Sequence, residues 1–326
     1  MYRLALTCGD INGIGTELAI KTINKLYNPS KRNFVLFCPQ NVFEKTIKNY
    51  KVVFDYEIIK EISSAKNFSK VIVVDIGKYK QSVGTPSTYS GKASFQSIID
   101  AYKCIQLKYT DAIITSPISK TSFQLAGIKY PGHTELFADL TKTNKFMMTF
   151  LSKDFIAGLV TIHVPIKDVS KLLNKRIIEN SINTLHRMLI NDLGIENPKI
   201  AVLGLNPHAG EEGKIGNEEE TILKPVIKKL KNLNVAGPFV PDAFFGNKKY
   251  KKFDAVLGMY HDQVLIPFKL LNFDKGVNFT AGLPIIRTSP DHGTGFDIAG
   301  KGIADPSSFI EAVKWAEKII AHRRRV

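Results

Sequence analysis

Short β-branched and apolar runs alternate along this chain with segments whose apolar residues recur at helical spacing, and that alternation admits few architectures. YRLALTC, NFVLFC, VIVVDI, DAIITS, FMMTFLS, KIAVLGLN and DAVLGMY read as strands, with helical patterns such as TELAIKTINKL and SFQSIIDAYKCIQLKY between many of them. Such an order predicts an α/β fold with a largely parallel sheet. A chain of 326 residues exceeds the usual size of a single core, so two domains with a deep cleft between them, or one domain with a large excursion, are expected. In the last helix, DPSSFIEAVKWAEKII, Ser308 and Glu311 have capping-box spacing, and Phe309, Val313, Ala316 and Ile320 share one face.

No apolar run approaches the roughly 18 residues that cross a bilayer, so no membrane partner is expected. The opening MYRLALTCGD reads as the first strand rather than a leader. Cys8, Cys38 and Cys104 are too scattered for a disulfide framework or a thiolate zinc site, which fits a reducing cytoplasm. The formal charge of +15 suits an anionic partner, whether nucleic acid, a membrane surface or a phosphorylated metabolite. Its lysines gather in KPVIKKLKNL and GNKKYKKFD, which read as solvated faces of a helix and a loop, and HRRRV as positive charge at a helix C-terminus. Charge is the sole support for nucleic-acid binding, and no nucleic-acid partner is expected.

In open α/β sheets ligands bind beyond the carboxyl ends of strands. After the first strand, CGDINGIGTE offers Gly9, Gly13 and Gly15 for a tight turn into a helix, either facing an anion or purely structural. His163, His208 and His261 each follow a strand run. Three imidazoles with an open position make a catalytic metal site, and three separate hydrogen-bonded histidines are the other reading. The stretch GVNFTAGLPIIRTSPDHGTGFDIAGKGIADPSS sets Asn278, Arg287, Asp291, His292, Thr294 and Asp297 among glycines, as a ligand loop does; a surface ion-pair network is the alternative.

With these residues in hand, the chain resembles the 4-hydroxythreonine-4-phosphate dehydrogenase family of pyridoxal phosphate biosynthesis nearly end to end. GDINGIG, TSPISK, GHTELFA, LGLNPHAGEEGKIGNEE, GPFVPDAFF, MYHDQVLIPFK and VNFTAGLPIIRTSPDHGTGFDIAGKGIA bear the resemblance, in that order. GDINGIG, TSPISK and Lys214 in EEGKIG depart from the family's usual Asp-Pro-Ala, Ala-Pro-Ile-Asn-Lys and His, which touches the roles of Asn12 and Ser119.

The resemblance implies two α/β/α domains with a cleft between them, a fold like that of isocitrate and isopropylmalate dehydrogenases, here with residues 1–130 and 280–326 as the first domain. Residues 131–279 form the second, with metal ligands and dimer contacts. It implies a homodimer whose two subunits complete each active site. His163, His208 and His261 become ligands of a divalent metal, zinc first, magnesium or cobalt otherwise. His133, Thr134, Lys269, Asn278 and Arg287 become substrate-binding residues. HGTGFDIAGKGIADP resembles a cofactor loop, in which His292, Gly293, Thr294 and Asp297 would bind NAD, with NADP also possible. The implied reaction is oxidation and decarboxylation of 4-phosphooxy-L-threonine to 3-amino-2-oxopropyl phosphate; a related dehydrogenase of another phosphorylated or aromatic hydroxy compound is the alternative. Asp262, beside a metal ligand, is the candidate proton acceptor, or else orients that histidine.

Overall fold

The computed structural model describes residues 1–65 and 68–325. Its strands are β1 (Tyr2–Thr7), β2 (Arg32–Phe37), β3 (Tyr56–Ile59), β4 (Val71–Val74), β5 (Ala112–Ile114), β6 (Met147–Leu151), β7 (Ile156–Leu159), β8 (Ile200–Leu203), β9 (Val235–Phe239), β10 (Ala255–Gly258), β11 (Val277–Ala281) and β12 (Arg287–Pro290). The chain divides into two compact units, Met1–Thr141 with Pro284–Ile320 and Lys142–Leu283 with Ala321–Val326. His133 and Thr134 therefore belong to the first unit, although the sequence placed them in the second.

In the first unit all strands are parallel, in the order β3-β4-β2-β1-β5-β12. Parallel strands covered on both faces need continuous apolar runs, and β2 and β4 are buried along their whole length. The Gly15–Leu26, Thr88–Gln106 and Ser307–Arg323 helices supply cover. Phe309, Val313, Ala316 and Ile320 are buried, as their spacing predicts. The cap differs from the expected box. The helix begins at Ser307, whose N–H donates to Asp305 Oδ1 at 2.9 Å, while Ser308 Oγ accepts from the Asp291 N–H at 3.1 Å. A carboxylate just ahead of the helix is the stronger acceptor for its free donors, which releases Ser308 to hold the preceding loop.

In the second unit the order is β11-β6-β7-β10-β8-β9. β7, β10, β8 and β9 are parallel, but β6 pairs antiparallel with both β7 and β11. The sheet is largely parallel, as expected, and the reversal at β6 has a local reason. Only residues 152–155 join β6 to β7, too few for a crossover, and Ser152 Oγ closes the turn by accepting from the N–H groups of Asp154 and Phe155, each at 3.2 Å. Below this sheet Phe150, Phe155, Phe244 and Phe268 form the core, with ring centroids 5.7 Å apart for Phe150 and Phe268 and 5.4 Å for Phe155 and Phe268. Each buried phenyl contributes roughly 1.5–3 kcal/mol. Among the described residues no helix is long and apolar enough to cross a membrane.

Candidate functional site

The second unit holds the three histidines. β7, β10 and β8 are parallel neighbours, and their C-terminal ends lead to His163, His261 and His208 in turn. The imidazoles of His163 and His261 are brought together, with ring centroids 6.2 Å apart and planes inclined at 39°. Asp262 Oδ1 is 2.6 Å from His261 Nδ1. A carboxylate on one ring nitrogen fixes the tautomer and leaves the other nitrogen as a metal donor, the usual outer contact of a ligating histidine. His208 is exposed and does not join the pair. Among the described residues no three His, Cys, Asp or Glu side chains gather closely enough to hold a metal ion. Imidazoles are donors that suit a borderline divalent cation, but the pair alone falls short of the three protein ligands such a site uses.

His208 sits in a loop of unusual backbone. From His208 to Glu212 the φ angles are 54°, 51°, 79°, 43° and 57°. Left-handed conformation costs about 1–2 kcal/mol per non-glycine residue, so this segment is held by its surroundings.

The His261–Asn272 helix continues into an exposed apolar stripe at spacings of four and three residues: Ile266 is 58% exposed, Leu270 81% and Phe273, just past its end, 76%. Lys269, on the same helix, is half-buried, and so is Asn278 on β11, between buried Val277 and Phe279.

The first unit gathers a different set. Arg287, at the start of β12, is only 2% exposed. Its Nε and Nη2 donate to Thr115 Oγ1 at 3.0 and 2.8 Å, and Nη2 also donates to Ser289 Oγ at 2.8 Å. Burial pushes the guanidinium down to about 9 while the Glu135 carboxylate pulls it back up, so it remains a cation at neutral pH. His133 and buried Thr134 open the His133–Leu140 helix, whose N-terminus has no side-chain cap. Burial, then the Arg287 charge, holds the His133 imidazole well below the usual histidine range, so the ring is neutral. Its Nε2 is buried without a hydrogen-bond partner. A fixed cation, a neutral imidazole and a helix N-terminus together favour an anion. Sequence reading missed Glu135, Thr115 and Ser289; the last two stand in TSPISK and IIRTSP, where a hydroxyl right after or within a strand end was the available signal.

The turn after β1 is built by close approach. Gly9 has φ +65°, and a Cβ on Gly13 would lie 2.5 Å from the Thr294 carbonyl oxygen, which accepts from the Ile14 N–H at 2.9 Å. The start of the Gly15–Leu26 helix is thus tied to the loop of His292, Gly293, Thr294 and Asp297. Space beside Gly293 is open and Asp297 is exposed. Asn12 and Ser119, where the sequence departs from its family, make structural bonds. Asn12 Nδ2 donates to the Thr85 carbonyl at 2.7 Å, and Ser119 Oγ caps a helix by accepting from the Ser122 N–H at 3.1 Å.

The family model described as pyridoxal phosphate biosynthetic protein PdxA matches residues 30–316. A 4-hydroxythreonine-4-phosphate dehydrogenase of Sulfurihydrogenibium sp. is 44% identical over 322 residues, which are 97% of this chain and 98% of that one. Among solved structures, a 4-hydroxythreonine-4-phosphate dehydrogenase from Klebsiella pneumoniae superposes with TM-score 0.84 at 34% identity, over 98% of this chain and all of that one. A terephthalate 1,2-cis-dihydrodiol dehydrogenase from Burkholderia xenovorans superposes with TM-score 0.66 at 26% identity, over 97% of this chain and 98% of that one. The chain belongs to the PdxA family of pyridoxal phosphate biosynthetic proteins.

Proposed function

We propose that this protein oxidises the secondary hydroxyl of 4-phosphooxy-L-threonine with NAD, or with NADP, and that the resulting β-keto acid loses CO2 to give 3-amino-2-oxopropyl phosphate. The observation that supports this most is the buried Arg287 guanidinium beside the neutral His133 at an uncapped helix N-terminus, a place made for a phosphate or carboxylate. Arg287, His133 and Thr134 bind one anionic end of the substrate, and Lys269 and Asn278 bind and orient the remainder.

His163 and His261, with His208 as the third ligand that the family resemblance implies, would hold a divalent cation, zinc in preference to magnesium or cobalt, which when bound would supply positive charge that favours ionisation of the substrate hydroxyl. Asp262 keeps the His261 ring in one tautomer; its contact at 2.6 Å supports that role over a free proton acceptor. His292, Gly293, Thr294 and Asp297 take the nicotinamide cofactor, which accepts the hydride. Backbone at Gly293 is open to close approach, and the Asp297 carboxylate disfavours an extra phosphate by like charge, so NAD is the better fit.

A second copy covers Ile266, Leu270 and Phe273. Contiguous exposed apolar side chains mark an association surface, and this one lies on the helix that begins with His261 and Asp262. A homodimer formed there sets the partner chain beside the histidines, where one chain alone leaves the ligand set incomplete. Three reduced, buried cysteines are consistent with work in the cytoplasm.

Initial rates with 4-phosphooxy-L-threonine, free 4-hydroxythreonine and an aromatic cis-dihydrodiol, each with NAD and added zinc or magnesium, test this reading. Loss of the phosphate is expected to lower kcat/KM at least about tenfold, the equivalent of 1.4 kcal/mol. Faster turnover of the diol or the free compound overturns it.

A further inference from the structure

From Thr294 to Ala304 the chain forms an arch of turns without a strand or helix of its own, closed in part by the Ile298 N–H on the Gly295 carbonyl at 3.1 Å and the Lys301 N–H on the Ile298 carbonyl at 3.2 Å. Both ends of the arch are tied to the Gly15–Leu26 helix and the turn before it. At one end the Thr294 carbonyl accepts from the Ile14 N–H at 2.9 Å. At the other, buried Glu17 Oε1 accepts from the Ala304 N–H at 3.0 Å, while Lys21 Nζ donates to the carbonyls of Gly302 at 2.9 Å and Ala304 at 2.8 Å. Lys21 Nζ also donates to Glu17 Oε1 at 2.8 Å, so the two side chains, four residues apart on one helix face, act as a single clamp. Its bonds are charge-assisted and therefore stronger than the neutral ones within the arch. Asp297 is exposed near the middle of the arch, and just ahead of it nothing lies within 4 Å of the place a Cβ on Gly293 would take. An open glycine backbone suits a phosphate and an exposed carboxylate suits ribose hydroxyls, so the residues present fit a dinucleotide.

We propose that Glu17 and Lys21 are positioning residues for the dinucleotide: by fixing the Gly302–Ala304 end of the arch, they hold Asp297 and the backbone around it in the arrangement that receives the cofactor. The proposal rests on the reading of His292, Gly293, Thr294 and Asp297 as cofactor-binding residues. The clamp acts through the arch, without touching the cofactor itself. A preset arch surrenders little freedom when a ligand binds, whereas an arch tied at one end alone has to be ordered at that step, and affinity falls.

The test is calorimetric titration of NAD into the full-length protein, with hydrogen exchange at residues 292–304 measured without ligand. Lys21→Met is expected to speed that exchange and to weaken NAD binding about tenfold, the scale of one lost charge-assisted hydrogen bond. KM for 4-phosphooxy-L-threonine at saturating NAD is expected to stay unchanged, because the clamp serves the cofactor loop alone. Unchanged NAD affinity overturns the proposal alone, and so does a parallel rise in both constants, which is what a merely structural role would give. Native protein that binds neither NAD nor NADP overturns the cofactor-loop reading and the proposal with it. Should Lys21→Met fail to fold, Glu17→Gln keeps an oxygen for the Ala304 N–H, removes the charge that holds Lys21, and is read in the same way.

Discussion

Arg287→Ala should discriminate between substrates with and without a phosphate. The guanidinium is held in orientation by Thr115 Oγ1 and Ser289 Oγ, at 2.8–3.0 Å, and is buried where water cannot replace it. A hydrogen bond to a charged group is worth about 1.5–3 kcal/mol, which at 1.4 kcal/mol per decade is a loss of about ten- to 150-fold in kcat/KM. Truncation also strips the Glu135 carboxylate of a neighbouring positive charge and leaves a gap in a buried site, which costs stability. Thermal melting must therefore accompany the kinetics, and Arg287→Lys, which keeps the charge without the planar fork, separates geometry from charge. The assay compares kcat/KM for 4-phosphooxy-L-threonine and free 4-hydroxythreonine in each variant. The expected loss is confined largely to the phosphorylated compound. Equal losses on both would refute the placing of Arg287 at the phosphate.

Leu270→Asp puts a charge into the exposed apolar stripe and is expected to shift sedimentation from dimer to monomer with loss of turnover; a stable dimer would place the interface elsewhere. His133 gives a pH signature. Its folded-state affinity for a proton is depressed below the ordinary value near 6.5, so as pH falls past that point the unfolded chain takes up the proton first and stability declines. The melting temperature of the native protein should therefore drop more between pH 7.5 and 5.5 than that of His133→Gln, and identical drops would contradict the buried neutral ring.

The parallel strands and the three histidines after them were legible because a strand buried on both faces must be continuously apolar, and polar residues directly beyond it stand out. Helix-period faces were legible for the same reason, as with Phe309, Val313, Ala316 and Ile320. What escaped reading depends on partners distant in sequence. Glu135 and Glu219 are ordinary acidic letters until the fold sets Arg287 beside one and the backbone of Asn206 against the other. The left-handed run through NPHAGEEG had no local signal beyond its two glycines, since its other residues disfavour that conformation. The antiparallel pairing of β6 and β7 turned on a four-residue connection whose shortness shows only once both strand ends are known. The cap escaped reading because Ser308 Oγ takes the Asp291 N–H, a partner distant in sequence, while Asp305 takes the Ser307 N–H.

Product stoichiometry tests the central claim most directly. With 4-phosphooxy-L-threonine, NAD and a divalent metal, isotopically labelled at the carboxylate, each reduced cofactor should be matched by one labelled CO2 and one 3-amino-2-oxopropyl phosphate by mass spectrometry. Reduced cofactor formed with the carboxylate label retained in the product, or no reduced cofactor at all, would contradict the assignment.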